Sequence, residues 1–394
     1  MTTVDKRILS IDILRGLVMI IMALDHTRDF FHTGSIMADP MNPETTTIFL
    51  FFTRWITHFC APTFVFLSGV SAYLSSKNKD PKQASNFLIK RGLWLILVEI
   101  VLITLGLTFN PLYNFIILQV IWAIGCSMIL LGILSRISHR LVLIVGLILF
   151  FGHNILNYLQ LPAPSTFTGG LISILFTTSS TFIPLDSNHF IGIFYAILPW
   201  TGAMFLGFSI GHWYAKEFDS TKRKHLLFYS GLSLFLSFII LRYFGLYGNP
   251  TQRVVTNDLL KTVFSFLNVS KYPPSLHYFG MTLGPALMLL SGLENVKNWF
   301  SKIIMVYGKV PFFYYVLHFY ILHFLLVIIF FASGYGVKDI ATPQVPFLFR
   351  PATLGYGLPI VYLIWLSVVA ILYRPCIWFQ KYKATHTQWW LSYL

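Results

Sequence analysis

About ten apolar runs, each near 20 residues long, recur along this chain of 394 residues. A run of that length matches the hydrocarbon thickness of a bilayer when wound as a helix. No other feature constrains the fold as strongly, because inside a bilayer only helices and closed barrels satisfy their own backbone polar groups. The runs fall near 11–32, 47–74, 88–108, 112–134, 140–159, 190–214, 226–246, 277–293, 304–331 and 354–373. Composition agrees: 56% of residues are hydrophobic and 11% charged, and the mean hydropathy is +0.70. The expected class is all-α, a polytopic integral membrane bundle forming a single domain over 1–394. No small-residue cleavage site follows the first apolar run, so that span is expected to stay and insert.

The net charge of +14 would point a soluble protein toward nucleic acid. Here it distributes as a topological signal. Lys6 and Arg7, then Lys77 to Arg91, Arg136 and Arg140, Lys216 to Lys224, Lys297 and Lys302, and Arg374 to Lys383 fall on alternate sides of the runs. The opposite loops are poor in Lys and Arg, which places both termini in the cytoplasm. No basic patch interleaves with aromatics outside the runs, so no nucleic-acid partner is expected. Cys60, Cys126 and Cys376 are scattered and form neither a disulfide framework nor a metal spacing. Two further segments differ from plain loops. Residues 167–182 are apolar but rich in Gly, Ser and Thr, as for an interfacial or re-entrant piece. Residues 255–268 have apolar side chains at helical spacing, as for an amphipathic helix lying in the interface or packed on the protein.

The first run is unlike the others. "SIDILRGLVMIIMALDHTRDFFH" (10–32) contains Asp12, Arg15, Asp25, His26, Arg28, Asp29 and His32. Charge at membrane depth costs several kcal/mol, so ionisable groups there normally face a partner or a cavity. Arg15 and His26 are eleven residues apart, about 20° from alignment and about 16 Å along the axis. Met19 and Met22 fall between them on that stripe. The plain readings are that Arg15 snorkels to the interface, that Asp12 is its partner or a cap, and that Arg28, Asp29 and His32 are hydrated. A histidine among carboxylates on a spanning helix is nevertheless a functional candidate. An imidazole oriented by a carboxylate suits proton abstraction from a hydroxyl or amine, or acyl capture. Proton relay in a proton-coupled transporter is the rival reading.

These residues carry a resemblance. "IDILRGLVMIIMALDH" resembles the first-helix signature of membrane acyltransferase type 3 proteins, in which the residue matching His26 is the proposed base. The chain as a whole is more similar to bacterial membrane proteins with a heparan-alpha-glucosaminide N-acetyltransferase-like domain. The stretches at 51–74, 198–211, 271–290 and 307–323 carry that likeness in order along the chain. In the lysosomal acetyltransferase of the wider family, the His26 position is Asn. Its catalytic His comes later on the same helix, at His32 here across a gap. The resemblance implies acyl-CoA, most simply acetyl-CoA, as co-substrate. It implies a glycan-type acceptor across the membrane and a place in lipid, in a bacterial plasma membrane; a homo-oligomer is left open.

The catalytic candidates are therefore His26 and His32, oriented by Asp25 or Asp29. Arg15, Arg28, Arg54, His58 and His318 are candidates for binding donor or acceptor. Arg54 and His58 share a helix face, with capping or interhelical bonding as the plain alternative. His318 and His323 are five apart and face different ways, so at most one meets a cavity, and His318 is the choice. Lys309 is a further cation for donor phosphates, or an ordinary loop lysine. Glu99 is expected to pair with a cation such as Arg15, and Asn110, Asn114 and Gln119 to bond between helices. No metal motif is present.

Overall fold

A computed structural model describes residues 8–35, 38–177, 181–341 and 347–392; Lys6 and Arg7 lie outside them, as do residues 178–180 of the Gly/Ser/Thr-rich segment. The first half of the chain winds into α1 (Leu9–Phe31), α2 (Ile48–Thr57), α3 (Cys60–Ser76), α4 (Pro81–Val98), α5 (Thr104–Thr108), α6 (Val120–Ile137) and α7 (His139–Gly152). After α8 (Phe167–Ile172) come α9 (Ile197–Ile210), α10 (Ser220–Tyr243), α11 (Leu259–Leu267) and α12 (Leu276–Gly292). The chain continues through α13 (Trp299–Gly308), α14 (Pro311–Ala332) and α15 (Leu358–Thr385). The protein is an all-α polytopic bundle.

Among the described residues, six helices are long and apolar enough to cross a membrane: Ile48–Ser76 taken through its break, α6, the α7 segment to Tyr158, α10, α14 and α15. The other four expected spans are present as α1, α4 with its continuation, α9 and α12. They are more charged or shorter, and α1, α9 and α12 form the inside of the bundle. Of the 23 residues of α1, 16 are buried, against four of 24 in α10. Helix α1 packs against α2, α3, α12, α13, α14 and α15. Its charged groups therefore meet protein rather than lipid, which is how a spanning helix tolerates them.

The approach of α13 to α1 depends on two glycines. A Cβ on Gly308 would lie 1.9 Å from the Asp12 carbonyl oxygen, and one on Gly16 would lie 2.1 Å from that of Ile304. Small residues let helix backbones come this close in membranes. Gly308→Ala is expected to force the pair apart and lower the temperature at which detergent-solubilised protein loses its monodisperse peak, by several degrees. An unchanged transition would show that this contact does not hold the bundle.

Several boundaries differ from the apolar pattern, each for a local reason. The second run breaks at His58 because Pro62 has no N–H and its ring would clash with the carbonyl four residues back. The ninth run splits after Gly308, and Pro311 starts α14 as its first residue. The fourth and sixth runs begin in strands. Phe115–Leu118 (β1), Thr181–Pro184 (β2) and Phe190–Ile193 (β3) form a sheet of order β1-β3-β2, with β1 parallel and β2 antiparallel to β3. A short apolar run does not distinguish strand from buried helix by periodicity. Asn110 and Asn114 consequently sit in a loop and bond to each other at 2.9 Å rather than between helices.

Glu99 is also placed differently from expectation. It starts a π-helical turn, Glu99–Ile103, and is fully buried. Its Oε1 accepts the backbone N–H of Gln119 at 2.6 Å, and among the described residues no cation pairs with it. The segment 255–268 forms α11, capped by Asp258. Phe264 stacks on Phe51 at 4.0 Å, while Val255, Leu259, Leu260 and Val263 remain exposed.

Candidate active site

The stripe read from α1 faces two adjoining cavities. The larger, about 250 Å³, is lined by Arg15, Met19 and Met22 from α1 together with Arg91, Lys309 and Lys383. Arg15 is fixed there by Ser71 Oγ at 2.8 Å, by Asp12 at 3.4 Å and by the Gly308 carbonyl at 3.4 Å. Asp12 is thus the partner of Arg15 and not a cap, since the N-cap residue is Ile8. The smaller cavity, about 40 Å³, is lined by Asp25, His26, Cys60, Gln119, Tyr195 and Lys271. Met22, Phe64, Val120 and Tyr315 line both.

His26 is held by another histidine rather than by a carboxylate. Its Nδ1 lies 2.6 Å from Nε2 of His318, and the rings stack at 4.9 Å. Nδ1 of His318 lies 3.2 Å from the Tyr314 carbonyl oxygen. A carbonyl only accepts, so His318 in its neutral form donates from Nδ1 and presents a lone pair at Nε2. His26 must then donate from Nδ1, which leaves the lone pair of its own Nε2 available. This tautomer follows from the bonding pattern and fixes the basic atom of the pair.

The neighbouring carboxylates serve guanidinium groups. Asp25 takes an ion pair from Arg54 and a second from Arg28 at 3.1 Å, and Arg28 also reaches Asp29 at 2.5 Å. Arg28 is buried and Arg54 partly so. The expectation that Asp25 or Asp29 would orient an imidazole is therefore replaced by a compact cluster of two arginines and two aspartates beside His26. Arg28 and Arg54 belong to that cluster and line neither cavity.

Two other candidates sit apart. His32 ends α1, six residues past His26, which is about 120° around the helix and 9 Å farther along. Its carbonyl accepts from the buried Arg350 at 2.9 Å, tying the helix end to the loop at Tyr356. His58 is buried edge-on to Tyr278 at 5.5 Å and lines neither cavity. His323 bonds the carbonyls of Gly106 and Leu348. Sequence reasoning did not single out Arg91 and Lys383, which read as loop charges, nor Lys271 and Tyr315. Tyr315 carried a usable signal, being three residues before His318 and hence on the same helix face.

No curated protein matches the chain at a significant level. The model of a family described as heparan-alpha-glucosaminide N-acetyltransferase, catalytic, matches residues 7–242. That interval holds α1 with Arg15, Met19, Met22 and His26, as well as Arg54 and Arg91. It covers more than half of the chain, and the chain belongs to the heparan-alpha-glucosaminide N-acetyltransferase catalytic family.

Proposed function

We propose that this protein moves an acetyl group from cytoplasmic acetyl-CoA to a hydroxyl or amine of a glycan-type acceptor on the far side of a bacterial plasma membrane. Family membership supports a membrane acetyltransferase. The observation that carries the finer reading is the pair of cavities with shared walls, one cationic and one holding His26. Arg15, Arg91, Lys309 and Lys383 suit the phosphates of the donor, Arg in particular by its planar fork of donors. Met19 and Met22 offer a flexible apolar lining for the pantetheine arm.

The acyl carbonyl then lies at the smaller cavity. His26 Nε2 takes the proton of the acceptor as its oxygen or nitrogen forms a bond to the carbonyl carbon. The carbonyl π pair moves to oxygen, giving a tetrahedral intermediate. Collapse restores the carbonyl, breaks the C–S bond, and returns the proton from His26 to the departing thiolate. The bond from His26 to His318 holds the tautomer throughout.

The test uses the purified full chain in lipid vesicles, with radiolabelled acetyl-CoA on one side and an envelope glycan extract on the other. Label should move to the extract. Arg91→Gln combined with Lys309→Gln should raise the KM for acetyl-CoA by about 10- to 100-fold and leave kcat within a few-fold, as for lost charge-assisted contacts made equally in ground and transition states. Proton-driven uptake without any CoA dependence would replace this reading with that of a transporter.

A further inference from the structure

We propose that Tyr315 supplies the hydrogen bond that stabilises the oxyanion of the tetrahedral intermediate, with the ammonium of Lys271 supplying charge in the same pocket. This rests on the acetyl-transfer reading above and names two groups that it does not use.

Tyr315 is 4% exposed, and its hydroxyl has no hydrogen-bond partner among the described residues. Buried O–H groups are nearly always paired, so an orphan in a cavity wall marks a place where a ligand completes the bond. Tyr315 is one of the four residues that line both cavities, where the thioester carbonyl must pass. Its ring stands edge-on to His26, with centroids 6.3 Å apart and planes at 74°. The base and the free O–H donor therefore flank one small space.

The charges nearby point the same way. Lys271 lines the smaller cavity with Asp25 and His26 and forms no ion pair among the described residues. Asp25 is already shared by Arg28 and Arg54, and Asp29 is held by Arg28. Three cations, Arg28, Arg54 and Lys271, thus face two carboxylates, which leaves one positive charge uncompensated. Such a preset field favours the oxygen as the π pair of the C=O bond moves onto it during attack, and it relaxes when the C–S bond breaks.

The experiment follows CoA thiol release from acetyl-CoA by the full chain in lipid, with glucosamine as the acceptor probe. Tyr315→Phe should lower kcat by about 10²- to 10³-fold, as for loss of one oxyanion donor, with the KM for acetyl-CoA within about 2-fold. Lys271→Gln should lower kcat by about 10-fold, and the Tyr315→Phe protein should keep the wild-type transition temperature in detergent. Wild-type kcat in Tyr315→Phe, with activity lost in His26→Ala, would overturn the role of Tyr315 and leave acetyl transfer standing. A loss in Tyr315→Phe that comes with a lowered transition temperature would assign the hydroxyl to packing and also overturn it. Full activity in His26→Ala would instead overturn the underlying reading.

Discussion

His26→Ala is expected to lower the rate of acetyl transfer by about 10²- to 10⁴-fold, the usual contribution of a positioned general base. The KM for acetyl-CoA should hardly move, because Arg15 of the donor cavity lies about 16 Å along α1 from the imidazole, and none of that cavity's cations lines the space beside His26. His318→Ala should cost less, about 10-fold, since it removes the acceptor that fixes the tautomer but leaves a basic nitrogen in place. The double variant should be no slower than His26→Ala alone, because residues that act as one unit are not additive. Steady-state kinetics with radiolabelled acetyl-CoA provide the check. Transfer that survives His26→Ala would remove the base from this helix position, and transfer lost only in His32→Ala would move it to the end of α1.

The largest effect on stability is expected at Asp25. Its carboxylate lies between Arg28 and Arg54, and all three side chains are largely withdrawn from solvent. Asp25→Ala leaves two guanidinium groups facing each other with only Asp29 in reach of Arg28. Removing one partner of a buried ion pair costs about 3–5 kcal/mol, mostly through the charge left behind. The variant should lose much of its folded yield, and its transition temperature in detergent should fall by many degrees. Asp25→Glu should recover part of this. A variant with wild-type yield and transition temperature would show that water, not Asp25, balances the arginines.

The sequence made the bundle readable because a bilayer imposes one dominant length scale. It made one face of α1 readable because eleven residues is close to a whole number of turns, so Arg15, Met19, Met22 and His26 meet the same pair of cavities. Pairings set by distant segments were not legible. His26 and His318 are separated by 292 residues, and nothing in either local sequence specifies which of several buried polar groups the other meets. Arg91 and Lys383 look like ordinary loop cations because the positive-inside pattern and the cationic cavity use the same residue types at the same membrane depth. Glu99 misled for a different reason: a buried acid suggests a cation, but a backbone N–H at the start of a helix also satisfies a carboxyl group.

The two adjoining cavities have a consequence for the cell's energy supply. A passage that communicates with both faces of a membrane risks discharging the ion gradient across it. Here the space beside His26 is narrow, about 40 Å³ against about 250 Å³ for the larger cavity, which restricts the water along which a proton could hop. The four basic side chains of the larger cavity repel protons and metal cations, as positively charged constrictions do in selective pores. On the acetyl-transfer reading, what passes the narrow part is an uncharged acetyl group rather than an ion, so the cationic lining that suits the donor would also act as electrical insulation.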